Sequence, residues 1–430
     1  MYIPYYELAQ SISKILPKAW QKKFVDYGYN LKIKQNLDFI NKNIVNVKKR
    51  LSKKIKTQKL NVIFYVYDDT KWKCQSLYDL MDKSENFIPC IYVTKNAAPQ
   101  NNCNYQTDDD LRKVYDFFAK KSMRVKYAYN IEKQKYIPFK KMNPKPDIII
   151  YQHPWYVERT QGPVVCSKFA LTYYVPYYIS DTDEWFEYDL RFHKYIYKYF
   201  VPSDIVRKNY AKKMSNNGKN LVVSGHPQLD YFYLNKNNSA SDTNNKVIIY
   251  APHWTVCGDN IRYSTFDWSG REILEFAKSH REFNWVMKPH PLLYNFLYQS
   301  GYMSKNETDK YFDEWREIGQ VFDSGDYMEL FSNSSVMITD SGSFLIEYLL
   351  TRRPCIHLVS EKFIGNETAK QICAGYYNAH NKEEMYSLLN EVILANNDSK
   401  KSERDLIIQS MNLDNNYAAQ NIVNEIINDL

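Results

Sequence analysis

The 430-residue sequence has no apolar run approaching the roughly 18 to 20 residues that a membrane-spanning helix requires, so no such span is expected. Nor does it open on a basic start followed by an apolar stretch. Residues 1–10 carry Pro4 and Glu7, and no signal peptide is expected. The seven cysteines (Cys74, Cys90, Cys103, Cys166, Cys257, Cys355, Cys373) are odd in number, scattered and without a C-x-x-C pair. That pattern suggests neither a disulfide framework nor a zinc site, and reduced thiols in a cytoplasmic protein are the expectation. The chain also lacks an internal repeat, a recognised nucleic-acid-binding motif and a carboxylate pair that demands a metal. Neither a nucleic-acid partner nor a cofactor is expected.

What is present builds large cores: 44% of residues are hydrophobic and 16% aromatic. The length exceeds that at which single cores usually split, which predicts two domains of similar size. Charge is uneven along the chain. Residues 1–59 hold fourteen Lys or Arg against three acids, about +11, which leaves about −3 of the +8 total for the rest.

Residues 1–58 form a basic helical segment by their spacing, with Leu8, Ile12, Ile15 and Leu16, then Phe24, Tyr27, Leu31 and Ile33, and Pro17 breaking the pattern. Residues 47–56 place an apolar residue at every fourth position on a basic background. Two readings stand: a solvated helix that caps the next domain, or a peripheral anchor on anionic lipid, to which each Lys near the surface adds roughly 1 kcal/mol.

From residue 60 onward strands and helices alternate. Buried-type strands read at 60–66, 87–93, 146–151, 246–250, 284–288, 336–339 and 354–358, with helices at 72–81, 108–121, 272–279, 327–332, 344–350 and 382–395. Such alternation predicts α/β architecture: two Rossmann-like domains facing a central cleft. The boundaries are 59–234 for the first domain, a polar linker at 235–245, 246–398 for the second, and 399–430 as a C-terminal helix packing back toward the first.

In open parallel sheets ligands bind beyond the carboxyl ends of strands, so residues that follow strands carry the chemistry. In Ile338-Thr339-Asp340-Ser341-Gly342-Ser343, a buried strand runs through small polar residues into a helix. Gly342 is expected to permit a tight turn, while Asp340, Ser341, Ser343 and the helix amides cradle a phosphate or diphosphate. Glu347, on the first turns of that helix, is placed to reach a ribose diol. His290 lies between two prolines at another strand end, where an imidazolium would neutralise or protonate a leaving phosphate. His253 and Thr255 follow Tyr250-Ala251-Pro252, with Thr255 lining the phosphate site. His153, after the 146–151 strand, is the candidate general base on an acceptor hydroxyl. His226, in Ser224-Gly225-His226-Pro227, contacts ligand from the hinge.

Taken in order, these segments resemble the CDP-glycerol glycerophosphotransferase family that builds teichoic-acid-type and capsular polymers. The family's G-x-P-R-x-D, Y-A-P-T-W, H-P and I-T-D-Y-S-S-x-x-x-D patterns read here as Gly225-His226-Pro227-Gln228-Leu229-Asp230, Tyr250-Ala251-Pro252-His253-Trp254, His290-Pro291 and Ile338-Thr339-Asp340-Ser341-Gly342-Ser343 with Glu347. Gln228 stands for Arg, His253 for Thr, and Ser341-Gly342 for Tyr-Ser. The Asp-Ser-Gly turn with a following Glu also resembles nucleotide-sugar 2-epimerases and some capsular glycosyltransferases.

The resemblance implies a GT-B fold, peripheral attachment to the inner face of the membrane through the basic N-terminus, and a CDP-alcohol donor. Glycerol-phosphate or ribitol-phosphate would pass to a polysaccharide or lipid-linked acceptor with release of CMP. The alternatives are a GT-B glycosyltransferase using a nucleotide sugar and a non-catalytic membrane-associated polymer-binding protein.

Overall fold

The computed structural model describes residues 5–14, 17–100, 105–235, 246–256, 263–322, 327–413 and 417–430. The first domain holds β1 (Leu60–Val66), β2 (Phe87–Val93), β3 (Val125–Tyr127), a hairpin of β4 (Tyr129–Asn130) and β5 (Lys135–Tyr136), β6 (Ile148–Tyr151), β7 (Leu171–Tyr174), β8 (Lys198–Val201) and β9 (Leu221–Val223). Apart from the hairpin these strands form one sheet in the order β3-β2-β1-β6-β7-β8-β9, with all pairs parallel.

The second domain holds β10 (Val247–Ala251), β11 (Asn284–Met287), β12 (Gly319–Val321), β13 (Val336–Thr339), β14 (Cys355–Leu358) and β15 (Tyr377–Ala379), in the order β12-β11-β10-β13-β14-β15. Both sheets reverse direction beside their first strand, between β1 and β6 and between β10 and β13. Doubly wound sheets open a crevice at that point, outside the carboxyl ends of the strands.

Continuous apolar runs explain the central strands: Ile148, Ile149 and Ile150 of β6 are fully buried because helices cover both faces. Several elements were not legible. β7 has only four residues, β12 and β15 three each, and none carries a distinctive period. The helix Lys305–Ile318 did carry a signal, since Ser304 and Glu307 form a capping box. The expected helix over 382–395 is α-helical only at Lys382–Leu388, after which Leu389–Leu394 widens into a π-helix.

The N-terminal segment folds as α1 (Tyr5–Ser13) and a long α2 (Lys18–Lys54). Val47 and Leu51 of α2 enter the core on one face of the first sheet, beside Phe64 and Ile150. This position alters the reading of the basic stretch. Arg50 donates to Asp147 Oδ1 at 3.0 Å, Lys54 donates to the other oxygen of that buried carboxylate, and Lys48 donates to Asp429 at 3.3 Å. Part of the positive charge therefore clamps α2 to its own domain, leaving Lys49, Lys53 and Lys56 on the exposed side.

Residues beyond 398 form two helices rather than one. Ile408, in Lys401–Ser410, stays in a core of the second domain, whereas Ile422 and Ile426, in Ala418–Asn428, cross to the α2 face of the first. Asp230 receives the crossing helix, accepting the Ala418 and Ala419 amides at 2.7 and 3.0 Å.

Candidate active site

The second domain's switch point is bound together by Asp340. At the end of β13 its Oδ1 accepts the His253 N–H at 2.6 Å, and its Oδ2 accepts the Thr265 N–H at 2.7 Å. The segment after β10 and the start of helix Phe266–Ser279 are thereby tied to β13. Burial raises the Asp340 carboxyl to about 6, partly offset by these same hydrogen bonds. Asp340 was expected to line a phosphate, but both its oxygens are spent on the backbone, and its part in the site is to shape it.

Thr255 acts in the same way. Its Oγ1 accepts the Tyr263 and Ser264 amides at 3.0 and 3.3 Å and contacts His253 Nδ1 at 3.0 Å.

Next in the chain is helix Gly342–Leu349, whose N-cap residue Ser341 makes no side-chain capping bond. No N-cap side chain covers the amides at this helix start, and uncapped helix amides attract anions. Ser341 is buried and Ser343 half-buried. Gly342 does not have a positive φ, so no left-handed backbone requires glycine there. A Cβ placed there would come within 1.4 Å of Asp181 Oδ2 and 3.0 Å of the Tyr263 ring, so close approach across the cleft is what demands glycine.

His290 follows β11, with its ring 5.0 Å from that of His253. The Leu292 amide donates to His290 Nδ1 at 3.1 Å, which places the proton of a neutral ring on Nε2. Burial, aided by Lys288, lowers this imidazole to about 4, so near neutrality it is a neutral N–H donor rather than the imidazolium expected from sequence. Burial likewise holds His253 well below the ordinary histidine value.

Lys288, not singled out from the sequence, is buried with its ammonium 4.8 Å from the Tyr327 ring centre and 5.1 Å from that of Phe344. Its position directly after a strand was the available signal.

Glu347 is buried rather than open to a ribose. Tyr327 donates to its Oε2 at 2.8 Å, and the same hydroxyl accepts from Lys73 at 3.1 Å and from Gln228 at 2.9 Å. Desolvation raises the Glu347 carboxyl, while Lys73, Tyr327 and Lys288 oppose that shift. Two first-domain residues thus meet two second-domain residues at a single hydroxyl. Lys73 and Tyr327 had no sequence pattern to mark them, because the bridge forms only when the domains face one another.

On the opposite wall, His153 follows β6 at the first domain's switch point. Its ring lies 3.8 Å from the Tyr67 ring, at the end of β1, and 5.2 Å from that of Tyr65. Among the described residues no hydrogen bond reaches its buried Nε2. Burial, with a smaller contribution from Lys71, holds it well below the usual histidine range, so the ring is neutral. His226 differs. Nε2 donates to Pro176 O at 2.8 Å and Nδ1 accepts the Gln228 amide at 3.4 Å, so neither ring nitrogen is left for a ligand.

Two doubly wound domains with their switch points facing one cleft define a GT-B-type protein. Residues 49–428 match the sequence model of the CDP-glycerol:poly(glycerophosphate) glycerophosphotransferase family, and the chain belongs to that family of transferases. It is 26% identical over 180 residues to a teichoic acid poly(ribitol-phosphate) polymerase from Bacillus spizizenii. That match covers 38% of this chain and only about a quarter (26%) of the relative's length.

The fold is similar to that of the wall teichoic acid polymerase TagF (TM-score 0.55, 12% identity, 96% of this chain and 98% of that one). It is also similar to the UDP-GlcNAc 2-epimerase from Neisseria meningitidis bound to UDP-GlcNAc (TM-score 0.52, 14% identity, 86% and 100%). Among the described residues no helix is long and apolar enough to cross a membrane.

Proposed function

We propose that this protein transfers a glycerol-phosphate or ribitol-phosphate unit from a CDP-alcohol to a hydroxyl of a cell-surface polysaccharide or lipid-linked glycan, on the cytoplasmic face of the membrane. The observation that carries the reading is the opposition of two features at facing switch points. One is a neutral His153 with an unpaired Nε2, and the other is the uncapped terminus at Gly342. In the proposed step the acceptor oxygen attacks the β-phosphorus and gives its proton to His153. The bond from the β-phosphorus to the bridging oxygen breaks, and the electron pair leaves on CMP. The His290 Nε2–H, the Ser343 hydroxyl and the helix amides offset the developing phosphate charge, where positioned donors contribute most. The donor is a substrate and the proposed step draws on no cofactor.

A panel of CDP-, CMP- and UDP-linked donors, assayed for nucleotide release with mass analysis of the product, tests this. Release of CMP from CDP-glycerol or CDP-ribitol supports the reading. Turnover of a nucleotide sugar alone would replace it with a glycosyltransferase, and absence of any nucleotide-induced thermal shift would favour a non-catalytic polymer-binding role.

Peripheral membrane contact is favoured by the outer side of α2. Trp20, Tyr27 and Val45 are 64%, 62% and 67% exposed, and helical spacing places them on one side of α2 with Lys49, while exposed Lys56 follows just past the helix end. Aromatic and basic residues on one helix face suit an anionic lipid interface.

A further inference from the structure

The first-domain loop 176–187 crosses the cleft and is fastened there by Asn366. The Asn366 side-chain amide donates to Ser180 O at 2.9 Å and Thr182 O at 3.0 Å, and its backbone N–H donates to Asp181 O at 2.8 Å. The Oδ1 of the same side chain caps helix Glu367–Ala374 through Ala369 N–H at 2.9 Å. Ile179 adds an apolar anchor in the cluster that contains Phe344 and Leu345.

This fastening delivers the Asp181 carboxylate to the start of helix Gly342–Leu349, so close that only a residue without Cβ fits opposite it. The side chain is 8% exposed. Tyr263 donates to Oδ1 at 3.2 Å, yet among the described residues Oδ2 accepts no hydrogen bond and no cation pairs with the group. A buried carboxylate oxygen without a partner is unfavourable. This one lies beside Gly342, the first residue of a helix whose N-cap side chain makes no capping bond, and such helix starts attract anions.

We propose that Asp181 is a first-domain residue of the donor site that sets donor affinity. Its carboxylate holds the position that a donor phosphate takes, so loading exchanges one anion for the other. The inference rests on the donor reading above. Two anions cannot occupy the space beside Gly342 together, so a diphosphate bound at that helix start must displace Asp181 and draw the 176–187 loop away from Asn366. Asp181 thereby lowers affinity for every diphosphate donor and favours those whose remaining contacts offset the exchange.

The test is calorimetric titration of the full chain, wild type against Asp181→Asn and Asn366→Ala, with inorganic pyrophosphate and with CDP. Asp181→Asn keeps the shape and removes the competing charge, and should bind both probes about ten-fold more tightly. Asn366→Ala keeps the carboxylate but frees the loop, and should shift binding in the same direction by less. Unchanged or weaker binding by Asp181→Asn, with wild type still binding CDP, overturns the proposal and leaves the donor reading standing. Absence of binding to either probe by wild type and variants alike overturns both. Should Asp181→Asn fail to fold, Asn366→Ala decides: tighter binding supports the exchange, and unchanged or weaker binding refutes it.

Discussion

The Asp340 carboxylate and the His253 amide meet at 2.6 Å, and this bond joins the ends of β13 and β10 across the second domain's switch point. With the Thr265 amide on the other oxygen, one side chain satisfies two backbone donors. Asp340→Ala leaves both without an acceptor. At about 1–3 kcal/mol for each buried group left unsatisfied, urea unfolding should show a loss of about 2–6 kcal/mol. A loss below about 1 kcal/mol would mean that water or a local shift replaces the strap.

Tyr327→Phe removes the hydroxyl at which Lys73, Gln228 and Glu347 converge, while keeping the ring against Phe344. The buried Glu347 then loses a donor. A destabilisation of about 1–3 kcal/mol is expected by denaturant titration, with a weaker apparent affinity for donor. Unaltered stability and KM would show that the bridge contributes nothing net.

His153→Ala should lower kcat by roughly 10² to 10⁴, the usual contribution of a positioned base, with the melting profile retained. His290→Ala should also lower turnover by orders of magnitude, as the cost of losing a donor to the leaving phosphate. Near-normal steady-state rates in either variant remove that residue from the proposed step.

Because His153 is held well below the ordinary histidine value, the acid limb of kcat/KM should lie on the acid side of the ordinary histidine range near pH 6.5. Stability follows the balance of protons. His226, His290 and His357 are lowered to about 4 and His193 to about 3, and His153 and His253 are lowered as well. Between about pH 4 and 6.5 the unfolded chain binds more protons at these positions, so they make stability rise with pH. Asp181, Asp230 and Asp340, raised to about 6, act oppositely between their unfolded value and about 6, as does Glu187, raised to about 8. Asp69 and Glu347 are raised as well, but the histidine effect spans the whole interval up to 6.5 whereas that of the three aspartates stops at about 6. Urea midpoints should therefore decline on acidification from pH 6.5 to 4.5, and a flat or rising profile would show that the acids dominate.

Removing residues 1–58 would strip Val47 and Leu51 from the core, so truncation is a poor probe of membrane contact. Trp20→Ala combined with Lys49→Glu and Lys56→Glu alters only exposed positions. Co-sedimentation with vesicles containing phosphatidylglycerol should drop at least several-fold and weaken with salt. Equal binding by wild type and variant would exclude this face of α2.

Strand runs such as Leu60–Val66 and Ile148–Tyr151 determined the α/β class without help, because a strand covered on both faces must be apolar throughout. The same logic located His153, His253, His290 and the 338–343 segment, since the ends of parallel strands are where ligands meet backbone. Roles were less legible than places. Asp340, Thr255 and His226 carry the residue types of ligand-binding groups, yet the fold spends their polar atoms on its own backbone. Asp181, Lys73 and Tyr327 gave no signal because they act across the cleft, far from their partners in sequence.

Gly342 contains both lessons. The sequence by itself determined that a small residue opens the helix after β13. Only the tertiary structure decided why: a carboxylate from the other domain lies where a side chain would be, and periodicity along one chain segment cannot report a contact made by another.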